Sequence, residues 1–144
     1  ERFSAAANAY RQWAITHPQD YSLIYGTPIP GYEAPRESTV APAARVNVAI
    51  GTVLATALQD GHLTLPETYA SLPGGLQHDL DMVAAYFDDQ RFSPAIILLT
   101  MSVWSRLHGL VWGELYEHFA PNIADSGELF QVEIETMRWQ FGLV

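Results

Sequence analysis

The chain has 144 residues, 49% of them hydrophobic, enough for one globular domain with a substantial core, and it contains no Cys. Structural disulfides, thiolate nucleophiles and Cys-based zinc sites are thereby excluded, and because all seven cations are Arg there is no side-chain amine for a Schiff base or for P-loop phosphate binding. A formal net charge of -9 repels a phosphate backbone, so these residues by themselves are not expected to bind DNA.

Phe3, Ala6, Ala7, Tyr10, Trp13, Ala14 and His17 recur at three- and four-residue steps, which predicts a helix that Pro18 breaks. The chain thus starts inside a helix. With neither a capping residue nor an initiator Met at its start, a segment preceding Glu1 is expected. The first residues lack the basic start and apolar run of a secretion signal, so a soluble, cytoplasmic protein is expected. Gln19 to Tyr25 is short and aromatic, with Gly26 expected to end it in a left-handed conformation. Thr27 to Arg36, with Pro28, Pro30, Gly31 and Pro35, reads as irregular loop.

From Ser38 or Thr39 to Asp60, the stripe Ala43, Val46, Ile50, Val53, Leu54, Ala57 and Leu58 predicts a second long helix, with Pro42 in its first turn. His62 to Gly75 reads mostly as loop, and Leu76, Leu80, Val83, Ala84 and Phe87 mark a third helix ending near Asp89. A fourth starts at Ser93 and Pro94 and runs to Phe119, the longest element expected. Its uncharged stretch, Ser93 to Ser105, is shorter than the roughly 20 apolar residues a bilayer requires, so it reads as a buried helix rather than a membrane span. Ser126, Glu128 and Leu129 open the last helix, which has two apolar stripes: Phe130, Ile134, Met137 and Phe141, and Leu129, Val132, Thr136 and Gln140. No alternating period-two segment occurs, so the class is all-α, a helical bundle.

The faces of the fourth helix differ in kind. Met101, Trp104, His108, Val111 and Leu115 are bulky, whereas Ser102, Ser105, Gly109, Gly113 and Tyr116 lie towards a side where mostly small residues let another helix approach. Interior glycines cost about 1 kcal/mol each relative to Ala, which calls for a packing reason. A subunit interface formed by these five residues together with Leu129, Val132, Thr136 and Gln140 supplies one. Packing within the chain is the alternative.

The run Trp104-Ser105-Arg106-Leu107-His108-Gly109-Leu110-Val111, followed by Glu114-Leu115, resembles the Trp/His/Gly signature of one class of TetR-family C-terminal domains. Ala9-Tyr10-Arg11-Gln12-Trp13-Ala14, His17-Pro18, Tyr21, Tyr25-Gly26-Thr27-Pro28 and Pro30-Gly31-Tyr32 look like the opening of the same domain. The resemblance covers nearly the whole chain. It implies a homodimer built on the last two long helices, a small-molecule effector pocket in each subunit, and operator DNA bound only through an N-terminal helix-turn-helix domain absent from these residues. It implies neither catalysis nor a cofactor.

The aromatic stock near the signature gives the pocket candidates Tyr10, Trp13, Tyr25, Phe87, Met101, Trp104 and His108, with His108 and Tyr25 as the polar members. At any single position an aromatic at helical spacing is more often core than pocket, with His108 the position where the two readings balance. Glu114 and His118, one turn apart and joined by Glu117, have metal-ligand spacing, but a carboxylate-bridged site needs ligands from four helices, so no metal is expected. Asp79, Asp81, Asp88 and Asp89 read as a solvated face. The phosphate-loop, dinucleotide and nucleophile-elbow motifs are missing, which leaves as runner-up a stand-alone small-molecule-binding or interaction module without a DNA role.

Overall fold

The computed structural model describes residues 1–26, 31, 36–87 and 89–143, with the backbone alone for 36–43. Six α-helices follow one another: α1 Arg2–Thr16, α2 Pro18–Tyr25, α3 Arg36–Gln59, α4 Gly74–Ala84, α5 Pro94–Leu115 and α6 Ser126–Gln140. A 3₁₀ turn, Glu67–Ala70, lies in the connection before α4. The described residues contain no strand, and the all-α expectation holds.

Helix α5 is the axis of the bundle. Ile96, Leu99, Val103, Leu107 and Val111 are fully buried along it, and α1, α3, α4 and α6 all pack against it. Its composition follows from that position: apolar along the faces it buries, and long enough by length and hydropathy to pass for a membrane span, it serves here as the central helix that the others pack against. Ser93 caps it by accepting from the Ile96 N–H, and Pro94 occupies the first turn, where a missing N–H costs nothing.

Several boundaries depart from the periodicity. Helix α5 stops at Leu115 rather than Phe119, because Glu117 adopts a left-handed conformation (φ 57°) that no glycine announces. Its 22 residues make it shorter than α3, which has 24 and is the longest helix. Helix α3 begins at Arg36, which moves Pro42 beyond its first turn. Helix α4 ends at Ala84, well before Asp89. Gly26 is extended rather than left-handed (φ -73°, ψ -172°); it is small because a Cβ there would strike the Ser22 carbonyl. The cap of α6 is Asp125, whose carboxylate accepts from Gly127 N (2.8 Å) and Glu128 N (3.1 Å). The loop residues 27–30 and 32–35 and Asp88 lie outside the described residues.

Polar ties fix α1 and α6 to the axis. Arg11 on α1 grips Glu114 on α5 through Nε (2.7 Å) and Nη2 (2.5 Å), and its guanidinium sits 5.5 Å from the centre of the Phe130 ring on α6. Arg106 on α5 reaches Glu133 and Gln140 on α6.

Candidate functional site

At the α1–α2 corner, Pro18 ends one helix and starts the next, so that Tyr10 and Trp13 from α1 meet Tyr21 and Tyr25 from α2. Trp104 and His108, one turn apart on α5, complete the group. The Trp104 and His108 rings are stacked at 4.8 Å, and Tyr25 stands edge-on to His108 at 5.2 Å.

The polar centre is His108 Nδ1. The Tyr21 hydroxyl lies 2.9 Å from it and the Tyr10 hydroxyl 3.2 Å. A ring nitrogen carries either one proton or one lone pair. Burial first, and the neighbouring phenols second, push the Tyr10 hydroxyl far above its ordinary value, and burial pushes Tyr21 up to about 12, so both phenols stay protonated and need acceptors. One lone pair on Nδ1 takes one of these protons, that of the closer Tyr21, while the Tyr10 hydroxyl bonds Tyr21, and the imidazole proton then sits on Nε2. Desolvation also holds His108 below the ordinary imidazole value, favouring the neutral ring.

Two buried polar atoms nearby lack partners. Among the described residues Trp104 Nε1 has none, and neither has Asn47 Oδ1 on α3. Thr56 on α3 meets Arg91 (3.1 Å), while Gly51 faces Thr100, so α3 runs antiparallel to α5. Asn47, one turn from Gly51, therefore comes level with Trp104, one turn from Thr100. Buried donors and acceptors without partners are rare in folded proteins and call for a reason.

The structure thus brings together Tyr10, Trp13, Tyr25, Trp104 and His108 of the expected pocket residues and adds Tyr21, fully buried, which periodicity did not single out as a site residue. The signal was present: His17, Tyr21 and Tyr25 recur every four residues, on one side of α2. Met101 and Phe87 do not join. Met101 is 55% exposed, and Phe87 stacks on Phe92 at 4.4 Å in a separate aromatic pair. Two surface clefts lie elsewhere, one of about 490 Å³ beside Phe3, Asp60 and His62, the other beside Arg11 and Glu128. The spacing considered for a metal serves other purposes: Glu114 is held by Arg11, and His118 stacks on Trp112 at 4.4 Å.

Of the expected interface residues, Ser105, Gly109, Tyr116, Val132, Thr136 and Gln140 are exposed, and Ser102 and Leu129 are half-buried. Among the described residues nothing approaches within 4 Å of the Cβ position of Gly109. Gly113 is different. The Phe119 ring of the same chain fills the space beside it, so packing within the chain accounts for this glycine. Trp112 and Trp139, 41% and 87% exposed, stand on α5 and α6 beside these residues and were missed.

The family model described as "Tetracyclin repressor-like, C-terminal domain" matches residues 3–137. The chain belongs to that family. It is 29% identical over 134 residues to the HTH-type transcriptional regulators Rv1816 of Mycobacterium tuberculosis and Mb1846 of Mycobacterium bovis, covering 90% of this chain and 54% of each relative. The chain spans about half the length of the curated relatives it matches. The crystal structure of SCO4313, assigned as a regulatory protein, superposes with a TM-score of 0.64 at 32% identity, over 93% of this chain and 58% of that one. The TetR-type resemblance of the Trp104–His108 run therefore holds at the level of the domain.

Proposed function

We propose that this TetR-type domain is the effector-binding and dimerisation body of a transcriptional regulator, a repressor released when a small, mostly apolar molecule enters the His108 cluster. One observation carries the ligand reading: an aromatic group at the meeting of three helices has its polar atoms incompletely partnered, with Trp104 Nε1 buried and free of any hydrogen bond among the described residues. The relatives' helix-turn-helix designation supports operator binding through a separate part of the regulator, since the acidic body is unsuited to DNA. The exposed faces of α5 and α6 around Gly109 and Val132 form the homodimer contact, and such a regulator works in the cytoplasm.

The mechanism is linkage. A two-fold dimer matches a palindromic operator, and a ligand that prefers one spacing of the two DNA-binding heads weakens operator affinity by the same coupling factor that operator imposes on the ligand. Tyr25 sits at the end of α2 and Trp104 in the middle of α5, so a ligand wedged between them loads both a peripheral helix and a dimer-forming helix.

The test is ligand affinity and melting temperature of His108→Ala and Trp104→Ala. Loss of affinity beyond the loss of stability supports a pocket. Unchanged affinity with a lower melting temperature alone makes the cluster core and refutes the reading.

A further inference from the structure

Building on the reading of the cluster as an effector pocket, we propose that its ligand is an uncharged, largely apolar molecule bearing a hydrogen-bond-accepting oxygen of the ketone, ester or ether kind, seated between Trp104 Nε1–H and His108 Nε2–H.

The polarity follows from which atoms are already used. The Tyr21 hydroxyl, 2.9 Å away, spends its proton on the lone pair of His108 Nδ1, the Tyr10 hydroxyl, 3.2 Å from the same nitrogen, bonds Tyr21, and this leaves the imidazole only its Nε2–H to offer. Nε2 has no hydrogen-bond partner among the described residues. Indole nitrogen is a donor under all conditions, and that of Trp104 is buried without a partner. The two rings are stacked at 4.8 Å and 19°, so two donors come from neighbouring positions on one face of α5. Asn47, whose Oδ1 is also unpartnered, carries both an oxygen and an NH₂ and so accommodates either polarity.

The absence of charge follows from the rest of the group. Tyr10, Trp13, Tyr21, Tyr25 and Trp104 are uncharged, and burial favours neutral His108. Arg11, next to Tyr10 on α1, is held by Glu114. A carboxylate entering the cluster would lose its hydration and find no counter-charge, and an ammonium group, which aromatic faces attract, has no lone pair to offer the two N–H donors. A carbonyl loses much less hydration, gains the Trp104 donor that is otherwise buried without a partner among the described residues, and meets the His108 Nε2–H beside it.

The experiment uses three probes of equal size on the whole chain: acetophenone, ethylbenzene and benzoate, titrated by ¹H–¹⁵N NMR with the Trp104 indole and His108 ring resonances assigned. Acetophenone is expected to bind at least tenfold more tightly than the other two and to move the Trp104 Nε1–H resonance downfield, and Trp104→Phe is expected to bring the ketone-to-hydrocarbon ratio within about threefold. Ethylbenzene or benzoate binding as tightly as acetophenone, with the Trp104 and His108 resonances moving, keeps the pocket and overturns the acceptor assignment. Binding that moves neither resonance, or no binding by any probe, overturns the assignment and the effector-pocket reading together.

Discussion

Two phenols that share one imidazole nitrogen should back each other up, and replacing Tyr10 and Tyr21 by Phe, singly and together, measures how far they do. Tyr21→Phe removes the shorter contact, 2.9 Å, but leaves the Tyr10 hydroxyl 3.2 Å from the same nitrogen and able to take its place. The net loss should stay near 1 kcal/mol, the usual worth of one hydrogen bond. Tyr10→Phe should cost no more, because the Tyr21 bond survives. The double variant leaves the His108 lone pair facing aromatic rings, and an unsatisfied acceptor of that kind costs about 1–3 kcal/mol. Its loss should therefore exceed the sum of the singles by about 1 kcal/mol in a urea-unfolding cycle with unchanged m-values. The ¹⁵N shifts of His108 add a second readout: the proton sits on Nε2 in the parent chain. Strictly additive losses, or a parent His108 protonated on Nδ1, would refute the shared-acceptor arrangement.

Three further expectations concern the frame around the cluster. Gly113→Ala gains about 1 kcal/mol of helix propensity but drives a methyl group into the Phe119 ring, which costs about 1–3 kcal/mol. It should be destabilising in the parent chain and stabilising by about 1 kcal/mol in a Phe119→Ala background, as read by thermal unfolding; the same sign in both backgrounds would mean the ring does not fill that niche. Glu114→Gln breaks a two-pronged pair whose side chains are only 20% and 19% exposed, and should cost about 2 kcal/mol in urea, against no measurable change if solvent already screens the pair. For pH, burial depresses the folded-state value of His108 below its ordinary 6.5, and the groups facing it, Tyr10, Tyr21, Tyr25 and Trp104, are uncharged. Between the two values the unfolded chain binds more protons, so stability present above about pH 6.5 is lost as pH falls through the folded value. His108→Gln should flatten the melting temperature between pH 7.5 and 5.5, and an unchanged slope in that variant would show that His108 does not contribute to it.

Much of the bundle was legible because periodicity reports burial directly. The apolar stripe of α1 and the stripe of Phe130, Ile134 and Met137 on α6 reappear as buried faces, and α5 starts at Pro94 as expected. Periodicity gives an angle around a helix, however, and not the length of the neighbour that covers it. Met101 and His108 differ by seven residues and so share nearly the same angle. Tyr21 and Tyr25 from the eight-residue helix α2 reach His108 but leave Met101 exposed two turns away. The end of α5 was not legible for a different reason: the left-handed residue is Glu117, and only tertiary packing of Phe119 against Gly113 explains why the chain turns there. The shared acceptor at His108 was beyond sequence reasoning, since it depends on how α1 and α2 cross α5.

The two-fold arrangement on which the linkage mechanism rests is tested most directly by the molar mass of the chain in solution, measured by light scattering at micromolar concentration for the parent and for Gly109→Arg. The chain mass is 16.0 kDa. About twice that value for the parent, and 16.0 kDa for the variant, is the predicted result. A parent chain of 16.0 kDa, or a variant that stays dimeric, would contradict an interface centred on Gly109.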